Sequence, residues 1–181
     1  MTKNRPERKD VLRHRESILT AARTVFSEYG VHVSLDVVAS AAGIGKGTLY
    51  RHYADREALL LALLDEEIAA LCKVGAEAPP HQALVEMLRH AASSSRRSPA
   101  LSDGWRLYLT SNPGAIQGSI RLSLALEGPL AAAKASGQVR GELTVADIAL
   151  SIRHLTIPML NAQGEPLSER TLHLLLHGIF D

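Results

Sequence analysis

The sequence predicts an all-α protein, on the basis of three observations. Apolar residues recur at intervals of three and four along most of the chain, which is the spacing of one helix face. No stretch alternates convincingly with the period of two that marks a half-buried strand. Aromatic residues make up only 4% of the chain while alanine and leucine are abundant, a bias that favours helix packing over a β-sandwich.

The composition predicts a globular chain that resides in a reducing cytoplasm. At 181 residues, 46% of them apolar and 22% charged, the chain is long enough for one substantial core or for a small domain joined to a larger one. Its single cysteine, Cys72, excludes an internal disulfide framework and a multi-cysteine zinc site. No run of eighteen apolar residues and no apolar segment behind the polar N-terminus occurs, so we expect neither a membrane span nor a signal peptide.

Basic charge is concentrated at the N-terminal end. Residues 1–53 hold nine lysines and arginines against five acids, whereas residues 54–181 hold eleven against fourteen. The densest basic segment contains Lys3, Arg5, Arg8, Lys9, Arg13 and Arg15. A basic arm beside a neutral-to-acidic body suggests contact with a polyanion at this end only, although a solvated tail without a partner would explain the arm alone equally well.

The first 60 residues carry the start and stop signals of four helices. Gly30 ends a first helix, whose apolar face contains Ile18, Ala22, Val25, Phe26 and Tyr29. Ser34 caps a second helix, and Gly43 turns the chain into a third helix that begins near Gly45. Asp55 caps a longer fourth helix. The first three, of roughly 17, 9 and 8 residues, predict a helix-turn-helix domain.

The remaining sequence predicts more helices with weaker signals. Helices are expected over 81–95, 101–109, 115–136 with a kink at Gly128-Pro129, 144–160 with Thr144 as its cap, and from Ser168 onward. The serine- and arginine-rich segment 93–99 is expected to be a loop.

The strings AGIGKGTLYRHY at 42–53 and DREALL at 55–60 resemble the TetR family of bacterial helix-turn-helix transcription regulators. The resemblance covers about residues 14–64 and is specific there. It implies an all-α fold with a helix-turn-helix DNA-binding domain at 1–56 and a helical ligand-sensing and dimerisation domain at 57–181. It also implies a homodimeric repressor that a small molecule of unknown identity releases from a near-palindromic double-stranded DNA operator.

The third helix has an exposed face that suits DNA binding, with Leu49 and Tyr53 pointing inward. We expect contacts to bases or phosphates in the major groove from Lys46, Gly47, Tyr50 and Arg51. Phosphate contacts are expected from Ser34, Thr48, His52 and Arg56. Gly45 departs from the family pattern, in which many relatives have a Ser or Thr cap that also contacts phosphate.

Candidate residues for a ligand cavity lie in the helical body, because sensor pockets are apolar with a few polar anchors. They are Met87, His90, Trp105, Arg106 and Tyr108. Core packing explains Met87 and Trp105 equally well. The helices predicted over 144–160 and from Ser168 are the expected dimer face, by resemblance, as a four-helix bundle between subunits; an ordinary core within one chain is the alternative.

Enzymatic and metal-binding motifs are incomplete, so we expect no enzyme, cofactor or metal. The glycine-rich segment around Lys46 lacks the earlier glycine, the following Ser or Thr and the preceding strand of a phosphate-binding loop. His173 and His177 share a helical spacing, but Leu174 stands where a zinc protease needs glutamate. The alternatives to a repressor are a helical enzyme or ligand carrier that kept this fold, and a regulator that activates transcription or works without a ligand.

Overall fold

A computed structural model describes residues 5–97, 99–156 and 168–179. Within these ranges the chain is helical and contains no β-strand, which confirms the predicted all-α class. The helices are α1 (Arg5–Tyr29), α2 (Leu35–Ala41), α3 (Lys46–His52), α4 (Arg56–Glu77), α5 (Ala83–Arg97), α6 (Pro99–Tyr108), α7 (Pro113–Ala135), α8 (Val145–Thr156) and α9 (Ser168–Ile179). In the described part of the chain, no helix is both long enough and apolar enough to cross a membrane.

The helices α1 to α3 form a small domain, here called the head, in which local sequence signals set the turns. Gly30 ends α1 with a φ of 79°, and Gly43 takes a φ of 67° between α2 and α3, a conformation that glycine adopts without steric cost. The Ser34 side chain caps α2 by accepting from the Asp36 amide at 3.2 Å. These positions agree with the helix boundaries that the sequence predicts.

The remaining helices form the body, and α4 connects the two cores. Asp55 caps α4 by accepting from the Ala58 amide at 2.8 Å. The first half of α4 buries Leu60 in the core of the head, and the second half buries Leu71 in the core of the body. In the body, α4 packs on α5 and α7, both of which pack on α8, while α9 lies against α5 and α8.

Two predicted elements were wrong, the length of the first helix and the loop over 93–99. The first helix begins at Arg5 and has 25 residues instead of roughly 17, so the basic segment from Arg5 onward is part of α1. The predicted loop over 93–99 is helical up to Arg97. Within this helix Ser93 donates to the His90 carbonyl at 2.9 Å and accepts from Arg97 at 3.0 Å. A serine that bonds back to its own helix in this way is compatible with helical structure.

Two further sequence predictions concern α7 and α8. Pro129 lies inside α7, which continues through it from Pro113 to Ala135. Leu126 and Leu130, on either side of Pro129, are buried in the core of the body. Thr144 precedes α8 as predicted and forms reciprocal hydrogen bonds with Asp147, of 2.8 Å from its amide and 3.2 Å to its hydroxyl. The expected continuation of α8 over 157–160 falls outside the described residues.

Candidate nucleic-acid interface and ligand cavity

The third helix presents one face to solvent and anchors the other in the head. Leu49 is fully buried, whereas Lys46, Gly47 and Arg51 are exposed and Tyr50 is 47% exposed. Gly45 forms the N-cap of α3. Because glycine has no side chain, this cap supplies no side-chain hydrogen bond. The exposed side chains therefore offer a cation, a phenol and a guanidinium from one side of a short helix.

Lys46 forms an ion pair with Asp36 of α2 that holds its ammonium beside the turn. The hydrogen bond and then the charge of Asp36 raise the pKa of Lys46. Both side chains are exposed enough to exchange partners, so DNA phosphates or base acceptors can compete for the ammonium. The sequence placed Lys46 on the DNA face but did not identify Asp36 as its partner.

Arg51 of α3 and Ser34, the cap of α2, have local hydrogen-bond partners. Arg51 donates to the Thr48 hydroxyl at 3.0 Å, and the Ser34 hydroxyl is engaged by α2. A Cβ added at Gly47 would meet nothing within 4 Å. Packing within the protein therefore does not require glycine at position 47. The expected reason for glycine there is that DNA approaches the backbone closely.

His52 lies at the end of α3 beside His14 of α1. The two rings meet edge to face with centroids 6.0 Å apart. Burial lowers the pKa of His52, and the nearby charges of His14 and Arg51 lower it further. His14 was missed as a neighbour of the interface, although its position between Arg13 and Arg15 in the basic segment was a signal that could have identified it.

Arg56, expected at a phosphate, binds the backbone of the head in this structure. Its guanidinium donates to the carbonyl of Val31, and at 3.5 Å to that of His32. These carbonyls belong to the loop between α1 and α2, so Arg56 fixes this loop to the start of α4. Its contact with phosphate stays a prediction, as do the DNA roles of the other residues.

The body contains a cavity of about 510 Å³ between α4, α6, α7 and α8. Its walls are formed mainly by Leu64, Ile68, Leu71, Leu109, Leu122 and Ile152. Of the five predicted ligand residues, Trp105 lines this cavity, and its indole Nε1 donates to the Leu60 carbonyl at 3.2 Å.

The other four predicted ligand residues lie elsewhere or cannot be placed. Met87 is fully buried against α4, where a Cβ at Gly75 would lie 2.6 Å from its sulfur. His90 lines a second cavity, together with Val74 of α4 and Leu172 of α9, and the Tyr108 hydroxyl lies 3.2 Å from His32 Nδ1 in the head. The side chain of Arg106 is outside the described part of the structure.

Glu67 of α4 was missed by the sequence analysis and lines the main cavity. Its carboxylate Oε1 lies 3.3 Å from Nε2 of His90. A glutamate in the middle of a leucine-rich helix was the available signal, because such a residue is costly to bury without a partner. Across the described residues, no group of three His, Cys, Asp or Glu side chains could hold a metal ion; His173 is exposed and the side chain of His177 is not described.

Comparison with known proteins gives a consistent set of relatives. The family model of bacterial regulatory proteins of the tetR family matches residues 18–63. The A-factor receptor protein of Streptomyces griseus is 33% identical over 94 residues, which are 51% of this chain and only 34% of that protein. An uncharacterized HTH-type transcriptional regulator of Mycobacterium bovis is 31% identical over 130 residues, 68% of each chain.

Two solved structures resemble the whole chain. The TetR transcriptional regulator of Streptomyces coelicolor is 31% identical with a TM-score of 0.66, covering 92% of this chain and 98% of its own. The TetR transcription regulatory protein of Mycobacterium vanbaalenii is 26% identical with a TM-score of 0.71, covering 97% and 100%. The likeness therefore extends through the body as well as the head.

Proposed function

This chain belongs to the TetR family of bacterial regulatory proteins, and we propose that it is a repressor that binds a near-palindromic operator as a homodimer. A small molecule in the body cavity then lowers its affinity for the operator. The observation that carries the proposed binding to DNA is the geometry of α3, which buries Leu49 and exposes Lys46, Tyr50 and Arg51. A recognition helix needs this division, because only an exposed face can reach base edges and phosphates.

The homodimer is supported by apolar residues on the last two described helices. Leu150 of α8 is 52% exposed and Leu174 of α9 is 57% exposed, although other residues of both helices pack into the body core. A second copy packing on this face would bury both leucines in a two-fold interface. Two heads could then enter successive major grooves, about 34–36 Å apart.

Release by a ligand is supported by the cavity, whose volume of about 510 Å³ lies within the usual range of roughly 300–1,000 Å³ for ligand pockets. For near-complete switching, the ligand must prefer the non-binding conformation by roughly 5.5 kcal/mol.

The experiment measures binding to the DNA upstream of the protein's own gene across a salt series. Lys46→Ala and Tyr50→Ala are each expected to weaken specific binding by about 1–3 kcal/mol, or roughly 5- to 150-fold. Matched controls are Lys73→Ala, an exposed lysine on α4, and Tyr29→Ala, an exposed tyrosine at the end of α1. Both controls should bind as wild type does. If Lys46→Ala and Tyr50→Ala also bind as wild type, α3 is not the DNA-binding helix.

Repression is tested separately by placing a reporter gene under that upstream DNA. Deleting the regulator should raise reporter expression, and restoring the wild-type chain should lower it again. A fall in expression on deletion would identify an activator instead.

A further inference from the structure

We propose that the body cavity selects a mostly apolar molecule carrying a protonated amine, and that Glu67 binds this amine. This inference rests on the proposed function, since it names the chemistry of the ligand that would occupy the same cavity. It goes beyond that function because it assigns a charge to the ligand and a binding residue to the chain.

The cavity wall contains few groups that could bind a charged ligand. Among its described lining residues, only Glu67 and Arg153 are ionisable. Arg153 belongs to α8 and is exposed to solvent, whereas the Glu67 side chain is only 16% exposed. A ligand head group that enters deeply therefore meets a carboxylate, and one that stays near solvent meets a guanidinium.

The Glu67 carboxylate is poorly satisfied by the protein itself. Its Oε1 atom is buried and has no hydrogen-bond partner among the described residues, and the same holds for Nε2 of His90. The two atoms are 3.3 Å apart, which is close enough for electrostatic attraction but does not give a well-aligned hydrogen bond. A ligand that brings a donor to the Glu67 carboxylate from the cavity would satisfy this acceptor. Because Oε1 is itself buried, the carboxylate has to turn toward the cavity to receive the donor.

A cationic donor fits this environment better than a neutral or an anionic head group. The walls are largely apolar, and apolar surroundings strengthen the attraction between the carboxylate and an ammonium group. The same walls and the same carboxylate penalise an acid, because two like charges would be brought together in a poorly solvated space. Hydroxyl groups of Ser119, Ser123 and Thr156 also line the cavity and can orient the rest of the ligand.

Trp105 provides a direct measurement of cavity occupancy, because it lines the cavity and is the only tryptophan in the sequence. The full-length protein is titrated with decylamine, decanol and decanoate below their micelle concentrations while Trp105 fluorescence is recorded. These probes share one tail and differ only in head group. Decylamine is expected to bind at least about tenfold more tightly than decanol, and decanoate more weakly than both.

Glu67→Gln should remove the preference for decylamine over decanol, since it keeps the shape of the side chain and loses the charge. Glu77→Gln makes the same change at an exposed site on the same helix and should retain the preference. Ala149→Leu, which fills part of the cavity, should weaken the binding of all three probes. The head-group series in the wild type is informative even if Glu67→Gln fails to fold.

Equal binding of decylamine and decanol, tighter binding of decanoate, or no fluorescence change with any probe would overturn the amine assignment. Persistence of the preference in Glu67→Gln would overturn the role of Glu67. Operator binding is measured in parallel by fluorescence anisotropy of labelled DNA. Amine binding without loss of DNA affinity would support the ligand class while refuting release, so failures of the two proposals are distinguishable.

Discussion

Replacing Leu49 with alanine tests whether the buried side of α3 holds the proposed DNA-binding face in place. Leu49 is fully buried in the core of the head, and the change removes three carbon groups worth about 0.8 kcal/mol each, or roughly 2.4 kcal/mol. The cavity left behind brings the expected loss of unfolding free energy to about 2–5 kcal/mol. A helix as short as α3, with seven residues, has little stability of its own, so we expect its docking to weaken.

The matched control is Leu126→Ala, which removes the same groups from an equally buried leucine of α7. Urea unfolding should show comparable losses of free energy in both variants. Operator binding is then measured at low temperature, where both remain folded. Leu49→Ala should bind at least about tenfold more weakly than wild type, because binding is reduced by the fraction of molecules in which α3 is docked, while Leu126→Ala should bind normally.

The reasoning fails if the two variants lose equal amounts of DNA affinity, or if Leu49→Ala binds as tightly as wild type. Equal losses would mean that global destabilisation, not the position of α3, limits binding. Wild-type affinity would mean that α3 is held in place by its flanking turns without the leucine.

Three other substitutions test single contacts. Thr144→Ala should lower the unfolding free energy by about 1 kcal/mol in urea titrations through loss of the α8 cap, whereas Thr144→Ser should not. Because hydrogen bonds from Thr144 hold the pKa of Asp147 low, the cap stabilises the fold above the unfolded pKa of Asp147, and this contribution is lost as pH falls. Burial lowers the pKa of His52 in the folded chain, so the unfolded chain takes up a proton first and the free energy of unfolding falls as pH drops below about 6.5. His52→Gln should make this fall smaller, and an unchanged pH profile of stability would contradict this. In Asp36→Asn, Lys46 loses the carboxylate that competes with DNA for its ammonium. The plot of log affinity for DNA against log salt concentration should therefore become steeper by up to about 0.9. A slope equal to that of wild type would show that the ion pair does not restrain Lys46.

Sequence reasoning succeeded where the determinant is local. Two kinds of feature depend on only a few neighbouring residues. They are the positive φ angles of Gly30 and Gly43, and the side-chain caps formed by Ser34, Asp55 and Thr144. Such signals act over one turn of helix and can be found without knowing the tertiary fold. They were sufficient to place the start of α2 and of α3, and therefore the exposed face of α3.

The sequence could not identify partners that the fold brings together from distant positions. Glu67 and His90 are separated by a turn and parts of two helices, and they meet only because α4 packs on α5. Arg56 was placed at DNA by its position at the start of α4, but the loop carbonyls that it binds are 24 and 25 residues away. The basic N-terminal segment showed charge and no apolar periodicity, so its helical state had no clear sequence signal.

Helix α6 connects the cavity with the head through three consecutive sets of contacts. Trp105 lines the cavity, and a Cβ at the preceding Gly104 would lie 2.8 Å from a methyl group of Val31. One turn later, the Tyr108 hydroxyl lies 3.2 Å from Nδ1 of His32. Val31 and His32 belong to the loop that leads into α2, so α6 touches the head at the base of the helix-turn-helix. Because packed interiors have few voids that absorb a displacement, a ligand that displaced Trp105 would strain these contacts as well. We propose that this is the route by which ligand binding in the cavity would affect α3.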